Sequence, residues 1–420
     1  MKHKKLSVLF VLFLVFLMSS TIFAASGTTT SLPTIYGKAA ITVDVATGEV
    51  IYAKNVDNKM YPASITNIMT VLLFAQNKKK TDQIKYTQSA KAQPEYSLNV
   101  NLHPIGLDET MSGSDVMDGL LLYSGNDVAY MIADSVGGNA AGFIKKMNDK
   151  AAKLGMTGTH FVTANGLQDP NHYTTPYDMS ILAKTAFSNQ WVKESMGKKK
   201  STIATSKGTT FMIENRNKIL GVDGCIAGKT GYTSQAGECL VSLFQRDGRQ
   251  IISVVMGSVY DANNTAVYND TKKIINYSYS LKPTLLHASG SVLKTETLKY
   301  KPLLFFGPEK TVNVPIVVKE DISYYNNEAN KKNLKEKVNL TKISASSLKA
   351  DKSVGTLTLN EKGKIKSYKL YSTISKGTLA KDNMLLYLVI ALVSILVLTG
   401  IILLIRKIRF RKRRRGRRYY

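Results

Sequence analysis

Met384 to Ile405 is a run of 22 residues without a charge, and Arg406, Lys407, Arg409 and the basic residues 411 to 415 follow it directly. A helix of that length reaches about 33 Å, enough to cross the hydrocarbon core of a bilayer. The basic cluster marks the end that stays on the cytoplasmic side and sets the run apart from a buried core helix. The other end of the chain carries the matching signal. Lys2, His3, Lys4 and Lys5 precede the apolar run Val8 to Met18, and the small residues Ala24, Ala25 and Ser26 follow. Charge, apolar run and small residues in that order read as an export signal over residues 1–25, too short to span a membrane once mature. The expected topology is a cell-membrane protein with one C-terminal transmembrane helix at 384–405. Residues 406–420 form a basic cytoplasmic tail, and the body of the chain is extracytoplasmic.

This topology changes the meaning of the net charge of +27. Ten of the positive charges lie between Arg406 and Arg418, where topology and anionic headgroups explain them. A nucleic-acid-binding tail is the rival reading of such a run, and no nucleic-acid partner is expected. The two cysteines, Cys225 and Cys239, are too few for a disulfide scaffold, and the five histidines show no metal-ligand spacing. No metal is expected. Both cysteines fall on what read as the arms of one hairpin, so a bridge is open in an oxidising exterior.

Residues 27–285 are long enough for one sizeable domain. Ala39 to Asp44 and Val50 to Ala53 read as strands around an Ala46-Thr47-Gly48-Glu49 turn. Ser64 opens a helical stretch to Gln76. Residues 114–136 read as helix interrupted at Ser124-Gly125-Asn126, and Ala140 to Leu154 as a helix ended by Gly155. Glu238 to Gln245 and Gln250 to Met256 flank Arg246-Asp247-Gly248-Arg249, a strong hairpin signal. Strands, then helices, then a strand cluster predict an α/β domain with helices packed on a mostly antiparallel sheet. Residues 286–375 read as short strands between turns, a small all-β second domain, and residues 376–383 as a tether.

Three short pieces carry the chemistry. In Ser64-Ile65-Thr66-Asn67, a serine at a helix start exposes its hydroxyl, and the residue three positions on shares its face. In Ser124-Gly125-Asn126, Ser124 could relay a proton while Asn126 positions an amide. In Lys229-Thr230-Gly231, an ammonium and a hydroxyl on a strand edge could face an anionic group, and glycine admits the substrate to the backbone. Each piece alone has a plain structural explanation as a helix cap, a loop or a strand end. Their order, together with the export signal and anchor, favours a joint reading as an acyl-transfer site.

The chain resembles the serine-type D-alanyl-D-alanine carboxypeptidases, the low-molecular-mass penicillin-binding proteins of the bacterial cell wall. The resemblance runs over about residues 33–375. It rests on Tyr61-Pro62-Ala63-Ser64, Leu121 to Asp127, His160-Phe161, Asn165-Gly166-Leu167, His172 to Asp178 and Gly228 to Thr233. It implies a β-lactamase/transpeptidase-like first domain and a β-sandwich second domain. It implies peptidoglycan stem peptide as substrate, β-lactam antibiotics as acylating ligands, and no cofactor. Ser64 would be the nucleophile, Ser124 and Asn126 would complete the proton and positioning network, and Lys229, Thr230 and Gly231 would bind the terminal carboxylate. The backbone N–H groups of Ser64 and Tyr232 would form the oxyanion hole.

One position departs from the pattern. Asn67 stands where the family carries its general-base lysine, and an amide cannot take a proton near neutral pH. The expectation is an impaired carboxypeptidase, since losing a general base costs on the order of 10²–10⁴-fold. Lys59 is near in sequence, but the motifs show no substitute base. The alternative is a catalytically inactive, membrane-anchored peptidoglycan-binding or regulatory module of the same fold. A class A β-lactamase would need a Glu-x-x-Leu-Asn element between the second and third pieces, and residues 127–228 contain none.

Overall fold

The structure is a computed structural model that describes residues 31–303 and 306–416, with the side chains of 413–416 left aside. The expected export signal lies outside the described residues. The described residues from Thr34 onward form one compact unit.

The first part is built on a five-stranded antiparallel sheet. Its strands are β1 (Ala39–Asp44), β2 (Val50–Lys54), β3 (Cys225–Thr233), β4 (Gly237–Arg246) and β5 (Arg249–Ser258), in the spatial order β2-β1-β5-β4-β3. Both faces are covered, so the strands read as apolar runs rather than alternating ones. Ile41 and Val43 of β1 and Val241 and Leu243 of β4 enter the larger core. Ala40, Leu240 and Phe244 point the other way, against the helix Ala266–Ser280. The larger core is completed by α1 (Asn67–Asn77), α2 (Gly113–Asp118), α3 (Asn126–Gly137), α4 (Ala140–Lys153) and α5 (Pro176–Ser188). Several of these start where their caps dictate. Asn139 accepts from the Gly142 N–H at the start of α4, and Thr175 accepts from the Asp178 N–H just before Pro176 at the start of α5. The long helix Ala266–Ser280 is α6.

Cys225 and Cys239 do sit on the two arms of the β3–β4 hairpin, but Cys225 faces Phe244 and Cys239 faces Gly231. That register separates them by roughly 15–20 Å along the strands, far beyond disulfide reach. Both thiols are free and buried. Burial pushes the Cys225 thiol up to about 11 and the Cys239 thiol to about 12.

The second part is a five-stranded antiparallel sheet of β6 (Val292–Tyr300), β7 (Lys310–Val318), β8 (Lys335–Leu340), β9 (Ser353–Glu361) and β10 (Lys364–Ser372) in the order β6-β7-β10-β9-β8. Its own small core holds Val314, Ile316, Leu357, Leu359 and Leu370. The short helix α7 (Glu328–Asn333) joins it to the first part: Asn327 and Asn330 both donate to the Val50 carbonyl of β2, at 2.8 and 3.0 Å. Residues 376–383, expected to be a tether, are instead mostly helix. Ser375 caps α8 (Lys376–Asp382), and Leu379 is buried in the second core. The final helix, α9 (Met384–Gly416), carries exposed apolar side chains through the uncharged run. Its composition and length suit a membrane span.

Candidate active site

The first motif sits where the chain turns sharply into α1. Residues Ala63–Thr66 form one 3₁₀ turn before the α-helix begins at Asn67. Ala63 has φ +48°, a left-handed conformation that an alanine adopts only under constraint. The constraint is visible. Gly166 packs against this corner so closely that a Cβ there would lie 2.0 Å from the Ala63 carbonyl oxygen. Two hydrogen bonds hold α1 from the same side. Thr70 donates to the Ala164 carbonyl at 2.6 Å, and the Thr66 hydroxyl meets His172 Nε2 at 3.0 Å. His172 Nδ1 accepts from the Val162 and Thr163 N–H groups, so its proton resides on Nε2. Burial disfavours the imidazolium and pulls His172 down to about 4.

The second motif ends a π-helical turn, Gly119–Tyr123. Ser124 takes φ +72°, which swings its hydroxyl out of the helix line before α3 starts. Asp127, buried at the start of α3, accepts from the Leu98 and Asn99 N–H groups and from Tyr86 Oη. The same loop passes Asn126, whose Nδ2 donates to the Glu95 carbonyl at 2.7 Å and whose N–H donates to the Tyr96 carbonyl at 2.8 Å. Asp127 thereby fixes the loop that brings Tyr96 to the site.

The third motif lies on β3 beside the start of α1. A Cβ at Gly231 would stand 2.8 Å from the Ser64 nitrogen and 2.9 Å from the Ile65 nitrogen, so glycine is what lets the strand approach the helix start. Ser64, Ser124, Asn126, Thr230, Gly231 and Tyr232 all line one cleft of about 580 Å³. The sequence-derived site residues are thus brought together, with Asn67 and Lys229 buried behind the wall.

Those two buried residues meet at one oxygen. Lys229 Nζ lies 2.9 Å from Ser124 Oγ and 3.0 Å from the Thr230 carbonyl. Asn67 Nδ2 donates to the same Ser124 Oγ at 3.3 Å. The Asn67 Oδ1 is buried and meets no protein donor among the described residues. Burial, reinforced by the nearby Arg216 guanidinium, pulls the Lys229 ammonium down to about 7. Lys59 is occupied elsewhere, its Nζ 4.0 Å above the Tyr173 ring.

Sequence reasoning missed Arg216. It lines the cleft with its guanidinium 5.3 Å from the Tyr96 ring and 5.0 Å from the Tyr123 ring. It follows the strand Thr210–Glu214, a piece of chain with no motif of its own. Tyr260 was missed too; its ring packs at a tilt against Tyr232 at the cleft wall, with ring centroids 4.8 Å apart. Among the described residues no cluster of three or more His, Cys, Asp or Glu side chains could hold a metal ion. The groups gathered in the cleft can form and break an acyl bond to a serine while holding an anion.

Comparison with known proteins agrees with this geometry. The D-alanyl-D-alanine carboxypeptidase family profile matches residues 26–259, and that of the C-terminal domain of penicillin-binding protein 5 matches residues 282–376. The chain is 29% identical to the D-alanyl-D-alanine carboxypeptidase DacF of Bacillus subtilis, over 78% of this chain and 82% of the relative. It is 30% identical to DacC of Escherichia coli, over 83% and 86%. Among solved structures, the Streptomyces K15 DD-transpeptidase superposes with TM-score 0.54 at 28% identity, over 60% of this chain and all of that one. DacD of Francisella tularensis gives TM-score 0.60 at 21% identity over 82% and 94%, a likeness of fold. The chain belongs to the D-alanyl-D-alanine carboxypeptidase family, the serine-type low-molecular-mass penicillin-binding proteins.

Proposed function

We propose that this chain removes the terminal D-alanine of peptidoglycan stem peptides through an acyl-enzyme on Ser64, and that the Ser124–Lys229 pair moves the proton that Asn67 cannot take. The observation that carries this reading is the 2.9 Å contact between Lys229 Nζ and Ser124 Oγ, beside the position of the missing base. A lysine held down at about 7 is about half free amine at neutral pH, and a free amine can accept a proton.

The steps follow from the groups in the cleft. Ser64 Oγ bonds to the carbonyl carbon of the penultimate D-alanine, and its proton passes by way of Ser124 to the Lys229 amine. The carbonyl oxygen becomes an oxyanion facing the backbone N–H groups of Ser64 and Tyr232. The C–N bond to the terminal D-alanine breaks, and the departing amine takes a proton back from Lys229 by the same route. Water then attacks the Ser64 ester, which releases the shortened peptide and restores the serine hydroxyl. Thr230 and Gly231, with Arg216 beside them, receive the terminal carboxylate. Lys229, turned inward, adds its positive field when protonated. Asn126 positions the peptide amide. β-Lactams acylate the same Ser64.

The route is longer than a direct serine–lysine contact, so turnover is slow for the family. The exposed apolar helix α9 and the basic residues behind it support an anchor in the membrane with the cleft on the outer side. The test is covalent labelling of the full chain by a fluorescent penicillin, beside D-alanine release from a stem-peptide analogue. Both are expected from the wild type and from neither Ser64→Ala nor Ser64→Gly. Binding of stem peptide without labelling or release would overturn the enzymatic reading.

A further inference from the structure

The turn between β6 and β7 is apolar where a surface turn has no need to be. Pro302, Leu303 and Phe306 lie in it, and Phe306 is 76% exposed. Leu304 and Phe305 lie outside the described residues. The turn is shaped: Leu303 and Phe306 pair as a bridge, and a Cβ at Gly307, which has φ +85°, would lie 3.3 Å from the Leu303 side chain.

The turn is also fixed to the start of α9. Tyr300 and Lys310, the last and first residues of the flanking strands, face each other across the ladder. Both hold Asn383, which is 2% exposed and immediately precedes the helix. Asn383 Nδ2 donates to Tyr300 Oη at 2.9 Å, and Lys310 Nζ donates to Asn383 Oδ1 at 2.7 Å. Beyond the strand ends, Tyr387 Oη donates to the Pro302 carbonyl at 3.1 Å. Tyr387 is four residues past Asn383, about 6 Å along the axis and already inside the uncharged run. Pro302 therefore lies beside the first turn of the span. Leu303 follows Pro302 directly and pairs with the exposed Phe306, and an exposed phenylalanine so near the start of a span suits the boundary between headgroups and acyl chains, where aromatic side chains are favoured.

We propose that this turn is a second membrane contact, in which Leu303 and Phe306 seat in the leaflet that α9 enters. The proposal rests on the reading of α9 as a membrane anchor. Its consequence is a two-point attachment. With α8 capped and Leu379 packed into the second core, the helix and turn together set the height and tilt of the β-rich part over the bilayer.

The test uses the full chain in liposomes, in a Trp191→Phe background that removes the single native tryptophan. Three probes are compared, each quenched by lipids brominated on the acyl chains: Phe306→Trp, Tyr387→Trp, and Met212→Trp at a first-part position that is 83% exposed. Blue-shifted emission and strong quenching are expected for the Phe306→Trp and Tyr387→Trp probes, with little quenching for Met212→Trp. Quenching of the Tyr387→Trp probe alone would overturn the second contact while leaving the anchor standing. Quenching of neither would overturn the anchor reading and the proposal with it. Equal quenching of Met212→Trp would show unspecific adsorption and also overturn the proposal.

Discussion

The two parts of this molecule differ in where they hold backbone strain. Among the described residues, eight non-glycine residues have left-handed backbone, and all eight fall before residue 285. Five are Asn or Asp in turns, residue types that tolerate this conformation. The other three are Ala63, Tyr96 and Ser124, and all three are at the cleft. Among the described residues the β-rich part has none. Its strands β9 and β10 alternate for most of their length between more and less exposed positions, as a sheet with one packed face does. The first part is a fold bent around a site, while the second is a fold that satisfies its own local rules.

The harshest test of this contrast is Lys229→Met. D-alanine release and penicillin acylation should fall by on the order of 10²–10⁴-fold, while the fold survives, because an apolar side chain of similar length replaces a buried amine. Lys229 also leaves a signature in stability. Between about pH 7 and its ordinary value of 10.5, the folded state holds fewer protons than the unfolded one. Stability should therefore rise with pH across that window in the wild type, and the Lys229→Met variant should lack that rise in denaturant titrations.

Gly166→Ala should come next. The added methyl meets the Ala63 carbonyl and displaces the start of α1, so acylation should fall by about 10²-fold, a loss typical of a displacement near 1 Å. His172 gives a smaller, pH-dependent effect. Its value is about 4 folded against 6.5 for the free group, so the unfolded state binds more protons between these limits. Stability should decline by roughly 3 kcal/mol as pH falls from 6.5 to 4. Substitution of His172 by Gln should flatten that decline. At the low end stands Leu357→Ala in the second core. It should destabilise the β-rich part by about 2–5 kcal/mol and leave the acylation rate unchanged. A parallel loss of acylation would show that the two parts do not differ as described.

Much of this was legible in the sequence because it is written locally. The three motifs, the helix beginning around Ser64, the break at Ser124 and the β4–β5 hairpin all follow from patterns a few residues long. What was not legible depends on chain distant in sequence. Arg216 reaches the cleft from the end of a hairpin, and the Tyr96 loop is held by Asp127 some thirty residues on, through backbone N–H groups that no motif encodes. Lys229 reads as an outward carboxylate ligand on a strand edge, yet its ammonium is turned inward to Ser124 by a π-helical turn that brings the serine within reach. The register that keeps Cys225 from Cys239 is likewise fixed by pairing across the sheet. Residues 376–382 read as a tether because so short a helix with a single buried leucine leaves little periodicity to see.

D-alanine release from a diacetyl-Lys-D-Ala-D-Ala peptide by the full chain in detergent, followed across pH beside an Asn67→Lys variant, decides whether the proton travels through Ser124 and Lys229. That route predicts slow wild-type turnover that increases as pH passes through about 7, where the Lys229 amine becomes free, and an increase of on the order of 10²–10⁴-fold in the variant. Equal rates for the two proteins, or a wild type that releases no D-alanine at any pH, would contradict it.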